Sequence, residues 1–145
     1  MTAFDTNVLV YALALASPFR AVALGELQKL AAAGEPWAVP WPCVYECLRV
    51  VSHSGIYQPT LPAAEAWRRL QHVLAGPDAH LLPETPRHAE LLAEVLAQSG
   101  ASGNRVHDAH IWTLCLEHGV TELVSGDRDF GRFRGLKLRN PFAGL

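Results

Sequence analysis

Short apolar runs alternate with longer stretches of helical periodicity along the chain. The runs that predict strands cover residues 1–5, 37–41, 80–82 and 122–125, with a weaker candidate at 136–139. Helical patterns cover residues 8–16, a second segment that ends at residue 33, and residues 43–52, 62–75, 86–98 and 105–118. Strands separated by such helices are typical of a parallel sheet with both faces covered. The pattern therefore predicts a three-layer α/β/α domain with a four- or five-stranded parallel sheet.

Helix start and stop signals support these boundaries. Ser17 and Pro18 separate the first two helices, and Gly34 ends the second. Pro42 suits the first helical position because its fixed backbone angle fits a helix start. Asn104 is a good cap for the helix over residues 105–118.

The composition indicates one globular domain over residues 1–145. Half of the residues are hydrophobic and 18% are charged, which is enough apolar material for a core. The three cysteines are an odd number and are typical of buried thiols in a reducing compartment. The apolar run at 8–16 is too short to span a bilayer, and no basic residue precedes it. We therefore expect a cytoplasmic protein without a membrane segment.

Several acidic residues fall where a parallel sheet would bring them together. Asp5 ends the first predicted strand and Asp127 lies just beyond the fourth. In parallel sheets, ligands bind outside the carboxyl ends of the strands, so Asp5 and Asp127 can share one cleft. Asp108 lies in the first turn of a helix, where the helix dipole favours an ionised carboxylate. Its apolar surroundings require a partner for that charge, and a metal ion is one that suffices.

Each acid also has an ordinary explanation. Asp5 and Asp127 fit turn and cap positions, Asp108 fits a helix start, and Glu46 points away from the apolar stripe of its helix as a solvated residue would. Only the combination indicates a site for hard cations such as Mg²⁺ or Mn²⁺, which two-metal phosphodiester hydrolysis uses. The net charge of −2 does not exclude a polyanionic substrate, because without these four carboxylates the chain carries +2.

Four segments resemble the conserved acidic motifs of the PIN-domain family. They are residues 4–12, 46–51, 103–110 and 125–130, in family order, and residues 140–142 are similar to the family's closing segment. Ser125 stands where a threonine is common. The chain is most similar to the VapC-type toxins of toxin–antitoxin pairs. This resemblance implies a Mg²⁺- or Mn²⁺-dependent endoribonuclease acting on RNA, a homodimer, and inhibition by a VapB-like antitoxin.

The resemblance also implies roles for individual residues. The catalytic metal-site residues would be Asp5, Glu46, Asp108 and Asp127. Asn7 and Ser125 would support them through hydrogen bonds. Asp129 is an alternative source of the fourth carboxylate, although we favour Asp127.

Rival interpretations remain open for the basic residues and for the function itself. Arg128, Arg132 and Arg134 either contact the RNA backbone or form a solvated face. The alternative function is a non-catalytic PIN-like module that binds nucleic acid or protein. A phosphatase with Asp5 as nucleophile is disfavoured, because it usually needs a second aspartate where Asn7 stands.

A zinc site built from the helix over residues 105–118 is also disfavoured. Its candidate ligands are His107, His110, Cys115 and His118. They lack the paired spacings by which zinc sites are recognised in sequences. We also expect Cys43 and Cys47 to be core thiols.

Overall fold

The computed structural model describes residues 1–144, and within them it contains five strands and six α-helices. The strands are Thr2–Phe4 (β1), Trp37–Pro40 (β2), Ala79–Leu82 (β3), Glu122–Val124 (β4) and Lys137–Arg139 (β5). The helices are Thr6–Leu13 (α1), Arg20–Ala33 (α2), Trp41–Ser52 (α3), Ala63–Leu74 (α4), His88–Ser99 (α5) and Arg105–Glu117 (α6). A 3-10 helix, Arg128–Arg132, lies between β4 and β5.

The five strands form one parallel sheet in the order β3-β2-β1-β4-β5. Thr2 of β1 pairs with Trp37 on one side and with Glu122 on the other. The chain therefore adds β2 and β3 on one side of β1, then places β4 and β5 on the other. This reversal lies between β1 and β4, where open parallel sheets form a crevice at the carboxyl edge. The predicted α/β/α class and parallel sheet are confirmed.

Every predicted strand and helix is present, but several boundaries differ. The largest difference is at α1, which spans Thr6–Leu13 instead of residues 8–16. Asp5 has an extended backbone at the N-cap and Ala14 is extended at the other end, so these two residues bound the helix. Asn104 occupies the predicted cap of α6, but its side chain makes no capping hydrogen bond. No helix within residues 1–144 is both long and apolar enough to cross a membrane.

An aromatic cluster ties the segment after β4 to α6. The indole of Trp112 in α6 stacks on Phe130 and Phe133, with ring centroids 6.1 and 5.5 Å apart. Its Nε1 donates a hydrogen bond to the carbonyl of Arg134 at 2.8 Å. All three rings are buried. The cluster therefore fixes the 3-10 helix, and Asp127 just before it, against α6, the helix that carries Asp108.

The three cysteines are free and buried, as predicted. Cys43 and Cys47 lie in α3, and Cys115 lies in α6. Burial raises the pKa of each thiol, that of Cys47 to about 12. Because a thiolate is needed for nucleophilic attack or metal binding, these side chains act as core residues at neutral pH.

Candidate active site

Four acidic side chains line one cleft of about 940 Å³ at the carboxyl edge of the sheet. They are Asp5, Glu46, Asp108 and Asp127. We call this cavity the acidic cleft. The topology explains the convergence, because β1 and β4 both end at this edge, and α3 and α6 both begin there. Residues that are 122 positions apart in the chain thus share one cavity.

Asp5 is the most buried of these acids, with 5% of its surface exposed. It follows β1 directly, and its backbone N–H donates to the Val124 carbonyl at 3.0 Å. The hydroxyl of Ser125 donates to its Oδ2 at 2.7 Å, and the Cys43 thiol lies 3.6 Å from its Oδ1. Burial raises the pKa of Asp5, and the Ser125 hydrogen bond opposes that shift. The negative charge of Asp108 raises this pKa further.

Asn7 and Ser125 connect the turn after β4 to the start of α1. The Asn7 amide donates to the Ser125 hydroxyl at 3.5 Å, and its Oδ1 accepts from the Gly126 N–H at 3.2 Å. The Ser125 hydroxyl also accepts a hydrogen bond from the Asp127 N–H at 3.0 Å. A Cβ atom at Gly126 would lie 3.2 Å from the Asn7 amide, which is tighter than ordinary packing. This close packing positions Asp127 next to the end of β1.

Asp108 lies in the first turn of α6 and is mostly buried. Burial is the largest cause that raises its pKa, and the charge of Asp127 is the next. Arg105, one turn earlier, opposes the shift through a weak contact of 3.4 Å from Nη1 to Oδ2. The repulsion between Asp108 and Asp127 indicates that the acidic cleft concentrates more negative charge than its arginines balance.

Asp127 and Asp129 have different environments. Asp127 lines the acidic cleft, and its Oδ1 accepts a hydrogen bond from the Asp129 N–H at 2.8 Å. The Asp129 side chain instead forms an ion pair with Arg105 and is nearly half exposed. It does not line the acidic cleft.

Two arginines of the acidic cleft were not identified from the sequence as site residues. Arg49 forms a two-point contact with Glu46, at 2.6 and 3.1 Å, and this contact lowers the pKa of Glu46. Arg105 is the second, and it contacts Asp108. Each arginine lies three residues from its acid on the same helix, a spacing that places side chains on one face. That spacing is the signal that could have identified them.

The predicted RNA-contact residues lie elsewhere. Arg128, Arg132 and Arg134 are exposed, and none of them lines the acidic cleft. Arg139 follows them in the chain, and we call these four arginines the basic run. Arg139 forms ion pairs with Glu26 at 2.8 Å and with Glu122 at 2.9 Å. The positive charge inside the acidic cleft therefore comes from α3 and α6 and not from this run.

The donor set of the acidic cleft fits hard divalent cations. Its four carboxylates supply oxygen ligands, which Mg²⁺ and Mn²⁺ prefer over sulfur. Burial raises the pKa of Asp5 and of Asp108 more than their hydrogen-bond partners lower it, so both ionised forms are disfavoured. A bound cation would favour them.

Known proteins match the chain over nearly its whole length. Residues 3–136 match the PIN domain family. Ribonuclease VapC37 of Mycobacterium tuberculosis is 33% identical over 97% of both chains. VapC ribonuclease Mb2897 of Mycobacterium bovis is 36% identical, over 99% of this chain and 97% of the relative.

The solved structure of VapBC2 from Rickettsia felis, bound to a promoter DNA fragment, aligns with a TM-score of 0.69. It is 21% identical and covers 96% of this chain and 97% of its own. The chain therefore belongs to the PIN domain family.

Proposed function

We propose that the chain is a Mg²⁺- or Mn²⁺-dependent endoribonuclease that hydrolyses RNA phosphodiester bonds. The observation that carries the proposal is the convergence of four carboxylates in the acidic cleft, two of them with raised pKa values. Relatives that are 31–36% identical over at least 97% of this chain are named VapC ribonucleases, which supports the same reaction.

In this proposal Asp5, Glu46, Asp108 and Asp127 hold the cations. Bound divalent ions supply positive charge for the phosphate oxygens and an activated water for in-line displacement. The protein itself keeps the carboxylates in place. Ser125 holds Asp5 through its hydroxyl and also anchors the backbone of Asp127. A side-chain nucleophile is not required, and the buried cysteines do not provide one.

The arginines of the acidic cleft are suited to hold the RNA backbone. Arg49 is more than half exposed and Arg105 is about one-third exposed. A guanidinium group offers paired N–H donors that match the oxygens of a phosphate. We assign both to binding of the phosphates that flank the scissile bond.

The proposal includes partners and a compartment. We place the protein in the cytoplasm as a homodimeric toxin that a VapB-like antitoxin inhibits. Its relatives are named VapC ribonucleases, and VapC is the type of toxin that the sequence resembles. The free buried thiols fit a reducing compartment. Expression should arrest growth, and the product of an adjacent reading frame should relieve the arrest. Light scattering of the purified chain should give about twice 15.8 kDa.

The catalytic proposal is tested by removing single charges from the acidic cleft. Asp5→Asn and Asp108→Asn should each abolish RNA cleavage with Mg²⁺ or Mn²⁺, while circular dichroism shows an intact fold. Glu94→Gln is the matched control, because it removes an exposed charge from α5, and it should cleave like the wild type. Cleavage retained in both aspartate variants would reject the site, and cleavage unaffected by EDTA would reject the metal requirement. RNA binding without any cleavage by the wild type would favour the non-catalytic module.

A further inference from the structure

A second group of ligand-bearing side chains lies outside the acidic cleft, where the segment before α5 meets α6. Glu84 follows β3, His88 begins α5, and His110 lies in α6. Each offers one ligand atom, and the three atoms lie within 4.8 Å of one another. We propose that Glu84, His88 and His110 form a site for a transition-metal ion, with Zn²⁺ as the best match.

The position of His110 on α6 separates this site from the acidic cleft. His110 follows Asp108 by two residues, which is a rotation of about 200° around an α-helix. The two side chains therefore leave α6 on opposite sides. Asp108 lines the acidic cleft, whereas the three proposed ligands do not. The ring centroids of His88 and His110 are 5.5 Å apart, in the space between α5 and α6.

A buried carboxylate orients one of the histidines. Nδ1 of His88 lies 2.6 Å from Oε2 of Glu117, whose side chain has no exposed surface. Glu117 also accepts hydrogen bonds from the Thr85 N–H and hydroxyl, at 2.9 and 2.7 Å. With Nδ1 occupied in this way, Nε2 of His88 is the nitrogen available to a metal. A carboxylate behind a histidine ligand is the common arrangement in protein metal sites, where it fixes the ring and increases its basicity.

The other two ligands are already close to the spacing that zinc requires. Nε2 of His110 and Oε1 of Glu84 are 2.9 Å apart. Two ligand atoms on a tetrahedral zinc ion lie about 3.3 Å apart, given bonds of roughly 2.0–2.1 Å. Glu84 is exposed, so a small movement of its side chain closes the difference. Three protein ligands at the surface leave the fourth position to water.

The ligand types separate the two sites chemically. Two imidazoles and one carboxylate suit Zn²⁺, Ni²⁺ or Cu²⁺, whereas the four carboxylates of the acidic cleft suit Mg²⁺ and Mn²⁺. The histidine set considered from the sequence does not assemble: His107 lines the acidic cleft, Cys115 is buried, and His118 contacts the Pro83 carbonyl at 2.8 Å. Only His110 of that set belongs to the proposed zinc site.

The test measures Zn²⁺ binding in a full-length background that carries Asp5→Asn and Asp108→Asn, so that the acidic cleft keeps only two of its four carboxylates. We expect one Zn²⁺ per chain by calorimetry, and visible absorption bands of imidazole-bound Co²⁺. Zn²⁺ at about 100 times its Kd should raise the Tm by about 5–10 °C. No Zn²⁺ binding by this background would overturn the proposal.

Variants of the ligand set then locate the bound ion. His110→Gln should weaken Zn²⁺ binding by more than about 100-fold and remove the Co²⁺ bands, because it deletes a ligand. Glu117→Gln should cost roughly 10–100-fold, the usual effect of changing an outer partner. Glu94→Gln removes the charge of an exposed acid in α5 and should leave the affinity for Zn²⁺ unchanged. Equal affinity with and without His110→Gln would show that the histidines and glutamates form ion pairs only.

Discussion

The Ser125 hydroxyl offers the sharpest test of how the protein holds a buried carboxylate. It makes the shorter of the two side-chain hydrogen bonds to Asp5, at 2.7 Å against 3.6 Å for Cys43. Ser125 itself is 1% exposed, so water does not readily replace a deleted hydroxyl. Ser125→Ala therefore leaves Oδ2 of Asp5 without its donor.

The size of the effect follows from the charge of the acceptor. A hydrogen bond to an ionised group contributes about 1.5–3 kcal/mol, and a buried acceptor that loses its donor bears a comparable penalty. The hydroxyl also accepts from the Asp127 N–H and, at 3.5 Å, from the Asn7 amide. Water can partly replace these two contacts because Asp127 and Asn7 both border the acidic cleft. We expect the metal-free variant to lose about 2 kcal/mol at pH 7, a fall in Tm of about 4–8 °C for a domain of this size.

The pH dependence distinguishes this electrostatic effect from a packing defect. Burial raises the pKa of Asp5 above its ordinary 3.8, and deleting the donor raises that pKa further. The hydrogen bond stabilises the ionised form, so its loss is fully expressed only above the folded pKa of Asp5 in the variant, the higher of the two pKa values. The difference in stability between wild type and variant must then shrink as the pH falls through that pKa.

The assay is thermal unfolding without metal at pH 7 and at about pH 4, followed by a Mg²⁺ titration of RNA cleavage. Ser125→Thr is the matched control, since it retains the hydroxyl. The alanine variant should also need about 10–100-fold more Mg²⁺ for half-maximal cleavage. A loss of stability equal at both pH values, or equal in the two variants, would refute the reasoning.

Three further predictions concern the fourth carboxylate, the basic run and the ion pairs at the sheet edge. Asp127→Asn should reduce the cleavage rate more than Asp129→Asn, because Asp127 lines the acidic cleft; the reverse ranking in steady-state rates would assign the fourth carboxylate to Asp129. Alanine at both Arg132 and Arg134 should weaken RNA binding and reduce the slope of log K against log salt by about 2, whereas an unchanged slope would show a merely solvated surface. Arg139→Gln should cost about 1–3 kcal/mol at pH 7 in urea unfolding. The hydrogen bond from Arg139 is the main cause that lowers the pKa of Glu26 from 4.5. Burial would raise the pKa of Glu122, but Arg139 and Lys137 lower it below 4.5. The stabilisation by both glutamates is therefore present above pH 4.5 and is lost as the pH falls through their folded pKa values. A cost that persists at low pH would contradict the ion-pair explanation.

Much of the fold was predictable because it depends on local patterns. The alternation of apolar runs with helical periodicity depends on neighbouring residues. It indicated a parallel sheet with helices on both faces. Asp5 and Asp127 follow apolar runs directly, so their place at strand ends was visible in the chain. Since parallel strands end at one edge, a shared cleft followed by general rule. The exact start of α1 was less predictable, because the extended backbone of Asp5 determines it.

The remaining features depend on which elements the crossovers bring together. The strand order, with β1 between β2 and β4, results from long-range pairing that local periodicity does not encode. The separation of Asp127 from Asp129 required the geometry of one turn, in which Asp127 caps the 3-10 helix and Asp129 turns toward Arg105. The sequence by itself thus determined the class of fold and the acids at its strand ends. Only the tertiary structure decided which arginines lie beside those acids. It also decided that Glu84, His88 and His110 meet, because side chains from separate elements converge only after the helices pack.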